Sequence, residues 1–90
     1  MALDLLTTTA FERDLRRARK QAKDLDKLEV IVDLLQAKAQ LPARCRPHPL
    51  RGRWESYWDC HVEPDWLLLY GTTENELILV RTGSHSELFG

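Results

Sequence analysis

Residues 48–66 read HPLRGRWESYWDCHVEPDW and hold two of the three histidines and all three tryptophans of the chain. From residue 54 to residue 63 the side chains alternate with a period of two, which is typical of a strand with one packed and one polar face. The predicted packed face holds Trp54, Ser56, Trp58, Cys60 and Val62. The predicted polar face holds Glu55, Tyr57, Asp59, His61 and Glu63.

Two further strands are predicted downstream of this one. Pro64 and Asp65 form a turn signal, and the wholly apolar run at 66–70 indicates a central strand covered on both faces. The segment GTTEN at 71–75 returns the chain, and residues 77–82 alternate again. The three segments predict an antiparallel meander.

Two helices are predicted upstream, after a possible short strand at 2–7. Thr9 and Glu12 have capping-box spacing, and an apolar stripe at helical spacing follows from Phe11 to Ala22. A second helix is capped by Asp24 or Asp26 and is predicted to run until Pro42 stops it. We therefore predict one α+β domain, residues 1–90, with a small twisted antiparallel sheet of about four strands packed against an N-terminal two-helix hairpin.

The formal net charge of −1 hides an asymmetry. Residues 1–53 contain twelve Lys or Arg and seven Asp or Glu, whereas residues 54–90 contain one Arg and seven Asp or Glu. Arg44, Arg46, Arg51 and Arg53 surround His48. Such a cluster suits a polyanion, although charged residues on helices are also typical of a solvated face.

The cysteines and the apolar segments bear on the compartment. Cys45 and Cys60 lack C-x-x-C spacing and are too few for a disulfide framework. No apolar run approaches the ~20 residues that a membrane-spanning helix needs, and no signal-peptide pattern is present. We expect a reduced, cytoplasmic protein that does not associate with membranes.

Antiparallel pairing is predicted to bring titratable residues to one edge of the sheet. His61 ends the first strand of the meander, Asp65 lies in the turn after it, and Arg81 and His85 end the third strand. We expect these four residues to share a cleft. His48 joins them only if its loop folds back over the sheet.

Three segments together resemble a known family. HPLRGRW at 48–54, HVEPDWLLLY at 61–70 and RTGSHSELFG at 81–90 are similar to the YafQ type of the RelE/ParE toxin superfamily, the toxin halves of bacterial type II toxin–antitoxin pairs. The resemblance spans nearly the whole chain. Many members of this superfamily are strongly basic, and this chain is not, so affinity for ribosomal RNA would come from the local arginine cluster.

The resemblance implies a ribosome-dependent endoribonuclease that cuts messenger RNA in the decoding site without a metal or other cofactor. The matching positions imply an active site lined by His48, His61, Asp65 and His85, with a contribution from Phe89. A DinJ- or RelB-like antitoxin made from a neighbouring gene is the implied inhibitor, and an acidic, partly disordered segment that folds on binding would suit such a surface.

Cleavage of this kind needs a group that takes the 2′-hydroxyl proton and a group that protonates the leaving 5′-oxygen. Histidine suits both steps because its unperturbed pKa is ~6.5. We expect His85 to be the general acid and His48 the general base, with these two roles interchangeable. Asp65 would orient an imidazole or itself act on a proton, and His61 would bind a phosphate or hold the base. Arg81 would stabilise the phosphorane.

Other residues are expected to bind the RNA. Arg46, Arg51 and Arg53 are candidates for phosphate contacts. Phe89 and Trp66 offer flat faces on which a base can stack, although Trp66 fits a core position as well.

Three alternative interpretations remain open. Three histidines and an aspartate could form a zinc site, but no pair has the short spacing of the common zinc motifs and Arg81 would repel a cation. A ParE-like toxin on the same fold would inhibit DNA gyrase and would have no use for a histidine cluster. An inert interaction module would use its basic helices to bind an acidic partner, and its histidines would be ordinary loop and strand residues.

Overall fold

The computed structural model describes residues 2–90; Met1, the first residue of the predicted domain, lies outside the described residues. Five strands form one sheet in the order β1-β5-β4-β3-β2. The strands are β1 Asp4–Thr7, β2 His48–Pro49, β3 Trp58–Glu63, β4 Trp66–Thr72 and β5 Glu76–Gly83. The helices are α1 Thr9–Lys20, α2 Leu25–Gln36 and α3 His85–Phe89, and short 3₁₀ turns occupy Ala43–Cys45 and Gly52–Trp54.

The predicted antiparallel meander is confirmed as β3–β4–β5. Two edge strands complete the sheet, so it has five strands rather than about four. β1 pairs in parallel with β5, with Asp4 opposite Glu76, which departs from the antiparallel prediction. β2 is only two residues long, with His48 opposite Asp59, and two residues are too few to show a period of two.

The first strand of the meander was predicted too long. It begins at Trp58 rather than Trp54, because the chain turns at Gly52–Trp54 and Ser56 adopts a positive φ of 85°, outside the extended region. Trp54 therefore packs on the sheet face opposite the helices, beside Tyr57, and not on the predicted face. Trp58 is largely exposed. Only Cys60 and Val62 lie on the packed face as predicted.

The start of α1 and the end of α2 differ from the prediction for separate reasons. The cap of α1 is Thr8, whose hydroxyl accepts from the Phe11 N–H, rather than Thr9. α2 is capped by Asp24 but ends at Gln36, well before Pro42. The Ala39 N–H donates to the Leu34 carbonyl and the Lys38 N–H to the Leu35 carbonyl, which is a Schellman motif with Lys38 at φ 58°. Glycine usually fills that position, so the sequence carried no stop signal.

Strand β4 is the centre of the core and is buried on both faces, as predicted. Trp66 and Leu68 pack with Phe11, Leu28 and other residues of the two helices. On the opposite face, Leu67, Leu69, Val80 and Leu88 form a second cluster under α3. The Trp66 ring N–H donates to the Thr82 hydroxyl at 2.9 Å, so even the polar atom of this buried ring is satisfied. Trp66 is a core residue.

The observed architecture is α+β, with α1 and α2 on one face of a largely antiparallel sheet and α3 on the other. Within residues 2–90 none of the helices combines the length and the apolar character that crossing a membrane requires.

Candidate active site

The turn between β3 and β4 and the start of α3 meet at one edge of the sheet. Leu67 at the start of β4 pairs with Gly83 at the end of β5, so the residues just outside this pair are neighbours. One carboxylate oxygen of Asp65, Oδ1, accepts from the His85 backbone N–H at 2.9 Å and lies 2.6 Å from the His85 Nδ1. The predicted proximity of Asp65 and His85 is therefore what the structure shows.

These two contacts determine how the His85 ring presents itself. Hydrogen bonds from the His85 backbone and then from its ring lower the pKa of Asp65, so Asp65 is a carboxylate and accepts a hydrogen bond from the Nδ1–H of His85. The other ring nitrogen, Nε2, is then available to a substrate. His85 and Asp65 are both exposed, so the pair orients the ring rather than stabilising the fold.

His85 is positioned by a well-formed helix start. Ser84 and Glu87 form a capping box at the beginning of α3, in which the side chain of each residue accepts a hydrogen bond from the backbone N–H of the other. The hydrogen bond from the Ser84 backbone and the neighbouring Arg17, 3.2 Å away, lower the pKa of Glu87. The sequence pattern predicted that His85 ends a strand, but His85 is the first residue of a short helix.

His61 is the second histidine at this edge. Its ring centroid lies 5.8 Å from that of His85, with 44° between the planes. His61 pairs with Leu67 of β4, whose side chain belongs to the face opposite the helices, and cross-strand partners share a face. The two imidazoles therefore sit side by side on the face covered by α3.

His48 joins the cluster because its loop does fold back, pairing β2 with β3. The His48 Nδ1 lies 3.0 Å from the Arg46 carbonyl oxygen and 3.0 Å from Asp59 Oδ1. Hydrogen-bond geometry is satisfied only with the carbonyl, which can act only as an acceptor. Nδ1 therefore carries a proton, and Nε2 is the free nitrogen of His48 as well.

Asp59 is a part of the site that the sequence interpretation did not single out. It is only 4% exposed. Burial raises its pKa, and this effect is opposed by the positive charge that His48, His61 and His85 can carry. The period-two pattern did place Asp59 on the same face as His61, two residues away, and that was the signal by which it could have been found.

Arg81 does not lie free in the cleft. Its Nε is 2.5 Å from Asp14 Oδ2 and its second terminal nitrogen 3.0 Å from Asp14 Oδ1, a two-pronged pair with a buried carboxylate on α1. Asp14 also accepts from the Thr82 backbone N–H and from Arg17. The hydrogen bond to Asp14 raises the pKa of Arg81. The guanidinium charge is thus compensated within the fold, which the sequence could not show.

The three arginines predicted to bind RNA occupy two places. Arg46 lines a cavity of about 410 Å³ together with His61, Arg44 and Lys27. Arg51 and Arg53 lie on the exposed segment after β2, and the Arg53 guanidinium sits 5.3 Å from the centroid of the Trp54 ring.

Phe89 is exposed to solvent, whereas the two cysteines are buried. Phe89 is 45% exposed at the end of α3, the helix that begins with His85. Cys45 and Cys60 are free and fully buried, and burial raises the pKa of Cys60 to about 12, so neither offers a nucleophile. Among residues 2–90 there is no group of three or more His, Cys, Asp or Glu side chains arranged to hold a metal ion.

The chain is similar to known proteins over nearly its whole length. The family described as bacterial toxin of type II toxin–antitoxin system, YafQ, matches residues 3–90. The mRNA interferase toxin YafQ of Escherichia coli strain K12 is 42% identical over 88 residues, covering 97% of this chain and 96% of that protein.

Two crystal structures from Escherichia coli are also similar. YafQ from strain BL21(DE3) has a TM-score of 0.93 and 40% identity, covering 98% of this chain and 99% of that chain. The toxin chain of the DinJ–YafQ toxin–antitoxin complex has a TM-score of 0.92 and 41% identity, with 100% of both chains covered. The resemblance noted in the sequence is confirmed, and the chain belongs to the YafQ family of bacterial type II toxin–antitoxin toxins.

Proposed function

We propose that this chain, acting as a single domain of residues 1–90, is the toxin of a type II toxin–antitoxin pair and inhibits translation as a ribosome-dependent endoribonuclease that cuts messenger RNA. The observation that carries the proposal is the histidine cluster: His85 held by Asp65, His61 beside it, and His48 folded onto the same face. The relative in Escherichia coli strain K12 is an mRNA interferase, which supports the same activity.

The proposed reaction is attack of a ribose 2′-hydroxyl on the adjacent phosphorus. His48 takes the hydroxyl proton on Nε2, and His85 gives a proton from Nε2 to the leaving 5′-oxygen. In both residues Nδ1 is already engaged by a fixed partner, so Nε2 is the nitrogen left for the substrate. Each proton transfer is worth on the order of 100 to 10,000-fold in rate.

His61 is assigned neither of these two proton transfers. Its position next to His85 and beside the cavity lined by Arg44 and Arg46 suits a residue that binds the scissile phosphate or holds the base in place. The predicted role of Arg81 in stabilising the phosphorane stays a prediction, since its charge is shared with Asp14.

RNA and the ribosome are the proposed substrates, and an antitoxin is the proposed protein partner. Arg46, Arg51 and Arg53 would contact phosphates, and the exposed ring of Phe89 would stack on a base. A relative of this chain forms a complex with the antitoxin DinJ, which supports a DinJ- or RelB-like partner here. We propose a cytoplasmic location, where ribosomes work, and no membrane partner or small-molecule cofactor.

The alternative function is a ParE-like toxin that inhibits DNA gyrase. Such a protein would have no use for three histidines arranged around two aspartates, so the histidine cluster favours the nuclease.

A reconstituted translation reaction tests the proposal. The purified chain is added with and without ribosomes, and cuts in the message are mapped by primer extension. We expect cuts at defined codon positions that require ribosomes and disappear in His85→Gln, whereas Ser86→Ala, one residue along the same helix, cuts normally. Intact message together with inhibited gyrase would favour the alternative. Cuts without ribosomes would mean a free ribonuclease.

A further inference from the structure

Asp59 is a buried carboxylate with an unusual lack of directed partners. It is 4% exposed, and its Oδ1 atom has no hydrogen-bond donor among residues 2–90. Taking a carboxylate oxygen out of water without giving it a hydrogen-bond donor is unfavourable. If Asp59 served only the fold, an apolar residue could replace it without loss of stability. Asp59 therefore needs another explanation.

The titratable groups that face Asp59 are mostly those of the proposed catalytic cluster. His48 approaches from β2, with Nδ1 3.0 Å from Asp59 Oδ1. His61 on β3 and His85 on α3 are also close enough for their charge to act on this carboxylate. The remaining neighbours, Cys60 and Tyr70, are uncharged, because burial raises the pKa of both groups.

We infer that Asp59 is a positioning residue for His48 in the cleavage reaction, an inference that rests on the proposed function. Two groups divide the task. The Arg46 carbonyl accepts a hydrogen bond from the Nδ1–H of His48, which fixes the ring orientation and leaves Nε2 as the base. Asp59 supplies negative charge beside the same ring. When the 2′-hydroxyl proton moves to Nε2, the imidazolium that forms lies against the carboxyl group of Asp59.

The inference predicts a coupling between Asp59 and His48 that is measurable without any substrate. The titrations of the three histidine rings are followed by NMR in the wild-type chain, in Asp59→Asn and in Asp33→Asn. Asp33 is an exposed aspartate on α2, so its variant makes the same change in net charge away from the site. We expect the midpoint of the His48 titration to move to lower pH in Asp59→Asn, because Asn places no negative charge beside the ring. Asp33→Asn should leave it unchanged.

The cleavage reaction supplies the second readout. We expect Asp59→Asn to lower the maximal rate on ribosomes about tenfold and to move the acid limb of the pH–rate profile to lower pH, because that limb follows the base. A purely structural role would reduce the amount of folded protein and leave the limb in place. An unchanged limb and an unchanged His48 titration would overturn the inference.

Two further outcomes are kept apart. If Asp59→Asn does not fold, the coupling is read from the other side: His48→Gln should raise the pKa of Asp59, followed by its carboxyl carbon shift, and no change overturns the inference. If the wild-type chain cuts no message while its histidine titrations respond to Asp59→Asn, the proposed function fails and the role in cleavage falls with it. Cutting by the wild type that Asp59→Asn leaves unaltered overturns the inference alone.

Discussion

A single oxygen of Asp65 holds His85 by both its backbone and its ring. Oδ1 accepts from the backbone N–H at 2.9 Å and lies 2.6 Å from Nδ1. The backbone contact fixes where the residue begins its helix, and the ring contact fixes its rotation. The same carboxylate therefore sets the place and the direction of the Nε2 atom that we propose as the proton donor.

Replacing Asp65 by Asn should change the pH dependence of cleavage. The hydrogen bonds from His85 lower the pKa of Asp65, so the carboxylate is charged throughout the range near ~6.5 in which an ordinary histidine titrates. Its negative charge lies beside the ring that we propose as the acid, with Oδ1 2.6 Å from Nδ1, and Asn carries no charge there. We expect the alkaline limb of the pH–rate profile to move to lower pH, with a rate reduced roughly tenfold or more. An alkaline limb that stays in place would assign the acid to another residue.

Loss of Asp14 should destabilise the fold. Asp14 is buried and receives donors from Arg81, Arg17 and the Thr82 backbone. Asp14→Ala leaves Arg81 and the Thr82 backbone N–H without this acceptor, and we expect the free energy of unfolding to fall by about 3 kcal/mol, in the range for breaking a buried pair. Urea unfolding measures it. An exposed substitution on the same helix, Arg13→Ala, is the control and should change stability by less than about 0.5 kcal/mol.

Arg81 can be tested separately from its partner. Arg81→Met should lower stability in the same way, and the double variant with Asp14→Asn should recover part of that loss, because neither charge is then left alone. If the double variant is folded and still cuts messenger RNA at a normal rate, Arg81 acts only in the fold. A folded double variant that has lost cleavage would support the predicted stabilisation of the phosphorane.

Phe89 should matter for cleavage and not for stability. Its ring is 45% exposed on the helix that carries His85. Stacking on a base is worth about 1–3 kcal/mol, so Phe89→Ala should reduce cleavage at least about fivefold while urea unfolding is unaltered. Phe89→Trp keeps a flat face and should retain most of the activity. Equal loss in both variants would mean that the ring does not stack.

The cavity beside His61 offers two substitutions with opposite expected effects. Arg46 lines it, and Glu63 lines it as well while pairing with Lys27 at 2.8 Å. Arg46→Gln removes a positive charge and should weaken ribosome binding and reduce its salt dependence by about one phosphate contact. Glu63→Gln frees Lys27 and should strengthen binding. Changes of the same sign in both variants would show that RNA does not enter this cavity.

The sequence predicted the fold where periodicity was long and failed where it was short. The alternation at 77–82 and the apolar run at 66–70 were sufficient to place β5 and β4. The C-terminal ends of α1 and α2 could not be placed from the sequence, because Ala22 and Lys38 adopt the positive φ at which a glycine is usually found. The start of β3 was missed because the turn at Gly52–Trp54 carries a tryptophan that imitates a strand position.

The sequence predicted which residues form the site better than it predicted the contacts that those residues make. Antiparallel pairing alone brought His61, Asp65 and His85 to one edge. The position of His48 depended on a two-residue strand, and the partner of Arg81 depended on the packing of α1 against β5, which no local pattern encodes. Asp59 was visible only as one polar residue among five on a strand face.

The parallel pairing of β1 with β5 has a consequence for the order in which the chain folds. Bringing Asp4 opposite Glu76 closes a loop of about 70 residues. Closing this loop loses more conformational entropy than forming the tight turns that join β3, β4 and β5. We expect the meander to form early and β1 to dock late, so amide protons of β1 should exchange fastest among the strands of three or more residues. His61, Asp65 and His85 all belong to the meander or follow it directly. The slowest step of folding is then the docking of the edge strand β1, which is distant in sequence, after the residues of the site have come together.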